Sequence, residues 1–153
     1  MMALTSADMD FSVWAIIDRP IAETYEAVAD PDKLSRHFTT GGAHGRMESG
    51  ATVTWEFADF PGPFDVTVTR AEAPALIEFQ WPRNDGSGLN DVRFDFEPLG
   101  ADRCKVRVTE SGWTPDAAGL QLAYGNCMGW SMMLAAMKAW LDHGIVLRSG
   151  MFR

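Results

Sequence analysis

From residue 52 to residue 109 the chain alternates apolar and polar positions with a period of two. Val53, Trp55 and Phe57 fall on one face of such a strand, and Thr52, Thr54 and Glu56 on the other. The same parity returns in Phe64, Val66 and Val68, in Ile77, Phe79 and Trp81, in Val92, Phe94 and Phe96, and in Cys104, Val106 and Val108. Turn-forming residues separate these runs: Ser49-Gly50, Pro61-Gly62-Pro63, Ala73-Pro74, Asn84 to Gly88, and Gly100-Ala101-Asp102. Strict alternation marks half-buried strands. Links this short join antiparallel neighbours, so the region predicts a meander with one dry face and one wet face.

The flanks read differently. Phe11 to Asp18 is rich in β-branched and aromatic residues and predicts a first strand, ended by Pro20. Ile21, Tyr25 and Val28 lie at helical spacing, so Ile21 to Ala29 predicts a short helix. Asp30-Pro31 reads as a cap followed by proline at the first helical position. A second short helix, about Pro31 to Phe38, follows, and Gly41, Gly42 and Gly45 read as a flexible connection. After the strands, a helical pattern runs from Thr114-Pro115 to about His143, with Gly144 as its stop. Cys127, Trp130, Leu134, Met137 and Leu141 share one narrow sector of that helix, flanked by Met133 and Trp140. Met128, Met132, Ala135 and Ala139 form a second apolar strip.

Only the long helix can cover the dry face of the sheet. The predicted class is α+β: a curved antiparallel sheet wrapped around a long C-terminal helix, with two short helices after the first strand. A chain of 153 residues predicts one domain, 1–153, with its core at about 11–144.

Charge narrows the partners. The formal net charge is -8, and no dense Lys/Arg run appears, which argues against nucleic acid and acidic membrane surfaces. Cys104 and Cys127 are too few for a disulfide framework. The first ten residues lack a basic and apolar leader pattern, and the apolar stretch Tyr124 to Leu141 is interrupted by Asn126, Ser131 and Lys138. The expected compartment is the cytoplasm. Six Trp and nine Phe are a heavy aromatic load for this length.

Several words of the chain carry a family likeness. One is Pro20 and the short helix ending in Val28-Ala29-Asp30-Pro31; another is the glycine-rich approach from Gly45 to Trp55. A third is Leu76-Ile77-Glu78-Phe79-Gln80-Trp81 after Ala73-Pro74, and a fourth is Gly129-Trp130, Leu134, Met137-Lys138 and Leu141. In this order they resemble the START-like (SRPBCC, helix-grip) superfamily, and within it proteins similar to the activator of heat-shock protein 90 ATPase. The likeness spans about residues 11 to 144. It implies a cavity between the long helix and the concave sheet, in a family that includes ligand carriers, polyketide cyclases and chaperone activators.

The residues themselves offer little catalytic chemistry. His37, His44 and His143 lack metal-ligand spacing and read as surface histidines, so no metal and no cofactor is expected. No serine elbow, P-loop or dinucleotide fingerprint occurs. Cys104 and Cys127 read as buried small hydrophobes. Glu110 continues the inward parity of Val106 and Val108, and Arg70 that of Val68. At the rim of an apolar pocket a desolvated carboxylate has a raised pKa and can act as general acid or base; with a frayed strand it simply reaches water. Gly125 and Gly129 each cost helix stability by roughly 1 kcal/mol relative to Ala, a cost explained by close packing, the favoured reading, or by room for a ligand.

The aromatic parity is the strongest signal. The expected ligand-binding set is Trp55, Phe57, Phe64, Phe79, Trp81, Phe94, Trp113, Met128 and Met132. The expected function is binding of a small hydrophobic molecule, lipid or polyketide-like, between helix and sheet. The alternatives are a partner of a heat-shock ATPase, by family likeness, and a cyclase or hydrolase using Glu110; binding is favoured over catalysis. The second apolar strip also offers a face for a homodimer.

Overall fold

The computed structural model describes residues 2–153. Seven strands form one antiparallel sheet: β1 (Phe11–Ile17), β2 (Gly42–His44), β3 (Thr52–Phe57), β4 (Phe60–Glu72), β5 (Leu76–Pro82), β6 (Leu89–Pro98) and β7 (Cys104–Ser111). Their spatial order is β1-β7-β6-β5-β4-β3-β2. The meander predicted from parity is thus present, and the first strand closes one edge against the last. Among the described residues a short 3-10 helix (Ala7–Met9) precedes β1, and three α-helices complete the fold: α1 (Ile21–Ala29), α2 (Pro31–Leu34) and α3 (Ala117–His143). This is the α+β helix-grip arrangement expected from the sequence.

The dry face is dry because its alternate residues are buried. Val53, Trp55, Val66, Val68, Ile77, Phe79, Val92, Phe94, Val106 and Val108 are all lost from solvent. Trp130, Met133, Leu134 and Met137 of α3 complete this core from the other side. The C-terminal half of α3 is pinned to β1 by polar contacts. Lys138 Nζ donates to the Ile16 carbonyl at 2.8 Å and to Asp142 at 2.6 Å, and the Asp18 amide donates to Asp142. Arg19 Nε donates to the Leu141 carbonyl. No helix among the described residues is long and apolar enough to cross a membrane.

Local chemistry moved several boundaries. Asp116, not Thr114, caps α3: its side chain accepts from the Gly119 amide at 2.7 Å. Gly144 ends the helix in the left-handed region, as its position suggested. Asp30 caps α2 through the Asp32 amide, but regular helix stops at Leu34, and turns carry the chain to Phe38. The glycine segment read as a flexible connection contains β2, paired with β3. Pro61-Gly62-Pro63 lies inside β4, and the hairpin turns at Ala58-Asp59 instead. A register shift between Val68 and Arg70 breaks the parity of β4. Arg70 consequently faces out, to Glu72 at 2.7 Å, rather than toward the core.

Candidate functional site

β7 carries Glu110 to the inner face, where it is completely buried. Its neighbours follow from strand register. Glu110 pairs with Val92 on β6, and two residues earlier on that strand Asn90 pairs with Trp81 of β5. Alternation turns Asn90, Trp81 and Glu110 to the same face. From above, α3 lowers Asn126 and, one turn on, Trp130. Four side chains therefore converge as donors on one carboxylate. Trp81 Nε1 reaches Oε2 at 2.8 Å and Asn90 Nδ2 reaches Oε2 at 3.0 Å. Trp130 Nε1 reaches Oε1 at 2.8 Å, and Asn126 Nδ2 spans both oxygens at 3.1 and 3.2 Å.

Burial pushes the Glu110 carboxyl above its ordinary range, while the bonds from Trp81, Asn90, Trp130 and Asn126 pull it back. Donors alone surround it, and a protonated carboxyl would have no acceptor for its hydrogen, so the cage suits the ionised form. The nearest compensation is indirect. Arg83 Nε donates to Asn90 Oδ1 at 2.8 Å, linking Glu110, Asn90 and Arg83 in one chain.

Beside this cage lies a cavity of about 560 Å³. Its volume suits a small organic molecule. Phe38, Phe57, Phe64, Trp81 and Trp130 form its aromatic wall, and Met128 and Met133 its helical one. Gly125 and Gly129 also line it, and a Cβ at either would meet nothing within 4 Å. Close packing against another backbone, the favoured sequence reading of these glycines, is thus corrected. Two bare helical positions one turn apart leave the space that side chains would fill.

The chain after Gly144 closes one side. Arg148, Met151 and Phe152 reach the cavity wall although this segment has no regular structure. Arg148 anchors it through a buried bidentate pair with Asp59, at 2.6 and 2.9 Å. The guanidinium also lies over Phe57 and Phe152, and Phe152 packs on Phe60. Arg148 holds the Asp59 carboxyl below its ordinary range.

The structure divides the nine residues expected at a ligand site. Phe57, Phe64, Trp81 and Met128 line the cavity. Trp55, Phe79 and Phe94 are core residues beneath it, each about 1% exposed. Their parity is shared, but they sit deeper in the sheet, where neighbouring rings fill the space. Trp113 belongs elsewhere: it packs with Met9, Ala123 and Phe11 in a separate cluster past the end of β7. Met132 is half-buried on α3 and does not border the cavity.

Glu110, the weak catalytic candidate, neither frays into water nor touches the cavity. It stands one layer behind, holding three residues that do: Trp81, Asn126 and Trp130. His37 is corrected from a surface position to complete burial. Its Nε2–H donates to the Ala27 carbonyl at 2.8 Å, and its ring stacks on Trp140. Burial lowers its pKa to about 4. Cys104 is buried, and Cys127 is only partly so.

Some members of the Glu110 cage and of the cavity wall escaped the sequence reading. Asn90 continues the inward parity of Val92 and Phe94, and Asn126 interrupts an apolar helix one turn before Trp130. Both are polar residues on dry faces, and that was the usable signal. Phe60, Arg148, Met151 and Phe152 carry no periodicity that would announce them.

The fold matches known proteins. The family model described as activator of Hsp90 ATPase homolog 1-like protein matches residues 18–142. The chain belongs to that family. The family's likeness extends to solved structures. A protein from Staphylococcus saprophyticus is 27% identical, with a TM-score of 0.78 over 91% of this chain and 96% of its own. The Aha1 dimer from Colwellia psychrerythraea is 22% identical, with a TM-score of 0.72 over 88% of this chain and 97% of that one. DynU16, from the dynemicin biosynthetic locus, is 24% identical, with a TM-score of 0.73 over 92% of this chain and 50% of that one. At these last two identities the likeness is one of fold. No curated protein gives a significant match.

Proposed function

We propose that this chain binds a small apolar molecule in the cavity between α3 and the sheet. The observation that carries the reading is the wall itself. An aromatic-lined space of about 560 Å³ is kept open by Gly125 and Gly129, at a cost in helix stability. Sites for small molecules are concave and apolar, with few placed polar groups, and this one matches that description. The Glu110 cage holds Trp81, Asn126 and Trp130 in place before any ligand arrives, which reduces the ordering cost of binding. Native mass spectrometry of freshly purified protein, with extraction of any bound compound, tests this. A co-purifying apolar compound, or saturable uptake of one from a library, is expected. No uptake by the intact fold contradicts the reading.

A second reading rests on the family match: association with a heat-shock ATPase. It requires a surface rather than a cavity. Calorimetric titration of the domain against the chaperone tests it directly. Self-association is a further proposal. The strip Met128, Met132, Ala135 and Ala139 keeps Met128 and Ala135 exposed on α3, and the fold also occurs in the Aha1 dimer. Light scattering at micromolar concentration reads that outcome. Catalysis by Glu110 finds no support in its position, since both oxygens are engaged and neither borders the cavity.

A further inference from the structure

The polar end of the cavity has a definite sense. Asn126 and Asn84 both line it, and the Asn84 amide donates to Asn126 Oδ1 at 3.4 Å. The orientation of Asn126 is not free. Its Nδ2 carries both amide hydrogens and faces both oxygens of Glu110. The flipped amide would set Oδ1 against a carboxylate, lone pair to lone pair, and lose both bonds. Glu110 therefore turns the acceptor, Oδ1, away from itself and toward the cavity wall. Among the described residues Oδ1 has only the long contact from Asn84. One lone pair stays available.

The two arginines of the wall offer no comparable welcome to an anion. Arg83 spends its donors on Asn90 Oδ1, on the Ser87 carbonyl and hydroxyl, and on the Leu89 and Gly112 carbonyls. Arg148 is neutralised by Asp59 through two bonds. The ionised Glu110 lies just behind the wall, and the whole chain carries a net charge of -8. A carboxylate or phosphate head group would have to displace an existing contact and enter against that field.

Resting on the ligand-binding reading above, we infer that the ligand is a neutral, flat aromatic molecule bearing a hydroxyl or N–H donor, with the donor meeting Asn126 Oδ1 and the rings lying along Trp81 and Trp130. Fatty acids and phospholipids fit this polar end poorly. Asn126 acts as the specificity-determining residue, and Glu110 as the residue that sets its sense.

Equilibrium dialysis at pH 7 with four matched probes tests the inference: 2-naphthol, 2-methoxynaphthalene, naphthalene and 2-naphthoate. The naphthol is expected to bind roughly three- to tenfold more tightly than naphthalene or the methyl ether, the span of one net hydrogen bond. The naphthoate is expected to bind most weakly. In Asn126→Ala the ratio of naphthol to naphthalene affinity falls to about one, whatever happens to naphthalene binding itself, a readout that does not depend on Glu110 variants folding. Equal binding of naphthol and its methyl ether, or preference for the naphthoate, overturns the donor assignment and leaves the cavity reading standing. Failure of all four probes, with the fold intact by circular dichroism, overturns both.

Discussion

The Trp130 indole on α3 donates to the Glu110 carboxylate on β7 at 2.8 Å, and neither residue is open to solvent. This bond fastens the long helix to the end of β7, one strand in from the edge of the sheet, where the cavity begins. Glu110→Gln tests the cage. The glutamine keeps one acceptor but turns an NH2 toward donors, leaving at least one buried N–H unpaired. A loss of roughly 1–3 kcal/mol is expected in denaturant melts. The emission of the tryptophans should shift as Trp81 and Trp130 lose their partner. A variant as stable as the wild type, with unchanged emission, would show that the cage contributes nothing.

His37 gives the fold an acid-sensitive element. Its pKa falls from the ordinary 6.5 to about 4 on burial. The unfolded chain takes up a proton below 6.5 while the folded chain does not, so this contribution is complete above 6.5 and is lost as pH falls toward 4. The loss is roughly 3 kcal/mol across that window. Glu110 has the opposite sign: its raised pKa favours the fold at low pH, and that contribution fades as pH rises through the folded value. The useful quantity is therefore the difference between wild type and His37→Gln. Urea midpoints at pH 7 and pH 4.5 should diverge less in the variant than in the wild type. Parallel pH profiles for the two proteins would rule His37 out as the source.

The segment after Gly144 depends on one buried ion pair. Arg148→Met removes the guanidinium and leaves Asp59 buried without its partner. Detachment of the segment costs less than global unfolding, so the melting temperature should change little while the segment opens. Limited proteolysis reads this as rapid cleavage between residues 145 and 153. Protection equal to that of the wild type would mean that Phe152 and Phe60 suffice to hold it.

The parts of this molecule that were readable from sequence share one property: their neighbours are set by a period. Strand parity placed Glu110 on the inner face, and helical spacing placed Trp130 and Leu134 on the seam. Parity gives a side, not a depth, so it grouped Phe79 and Phe94 of the core with Phe57 and Phe64 of the cavity. One register shift in β4 was enough to turn Arg70 outward. Arg148 and Phe152 follow the last helix with no regular pattern, and only the fold shows that they meet Asp59 and Phe60. His37 was hidden for a related reason: the turns after α2, not a helix, bury it against Trp140.

The glycines of α3 connect stability and binding. Gly125→Ala and Gly129→Ala should each raise helix stability by about 1 kcal/mol, since the added methyl meets open space. Thermal melts check this, and a destabilised alanine variant would mean the space is not there.

A larger side chain at the same place tests the central claim. The measurement is the dissociation constant of 2-naphthol for the wild type and for Gly129→Leu, by equilibrium dialysis under identical conditions. Saturable one-to-one binding in the wild type is predicted, weakened by roughly tenfold or more in a variant at least as stable, because the leucine occupies the cavity. Equal affinities in the two proteins, or no saturable binding to the folded wild type, would contradict it.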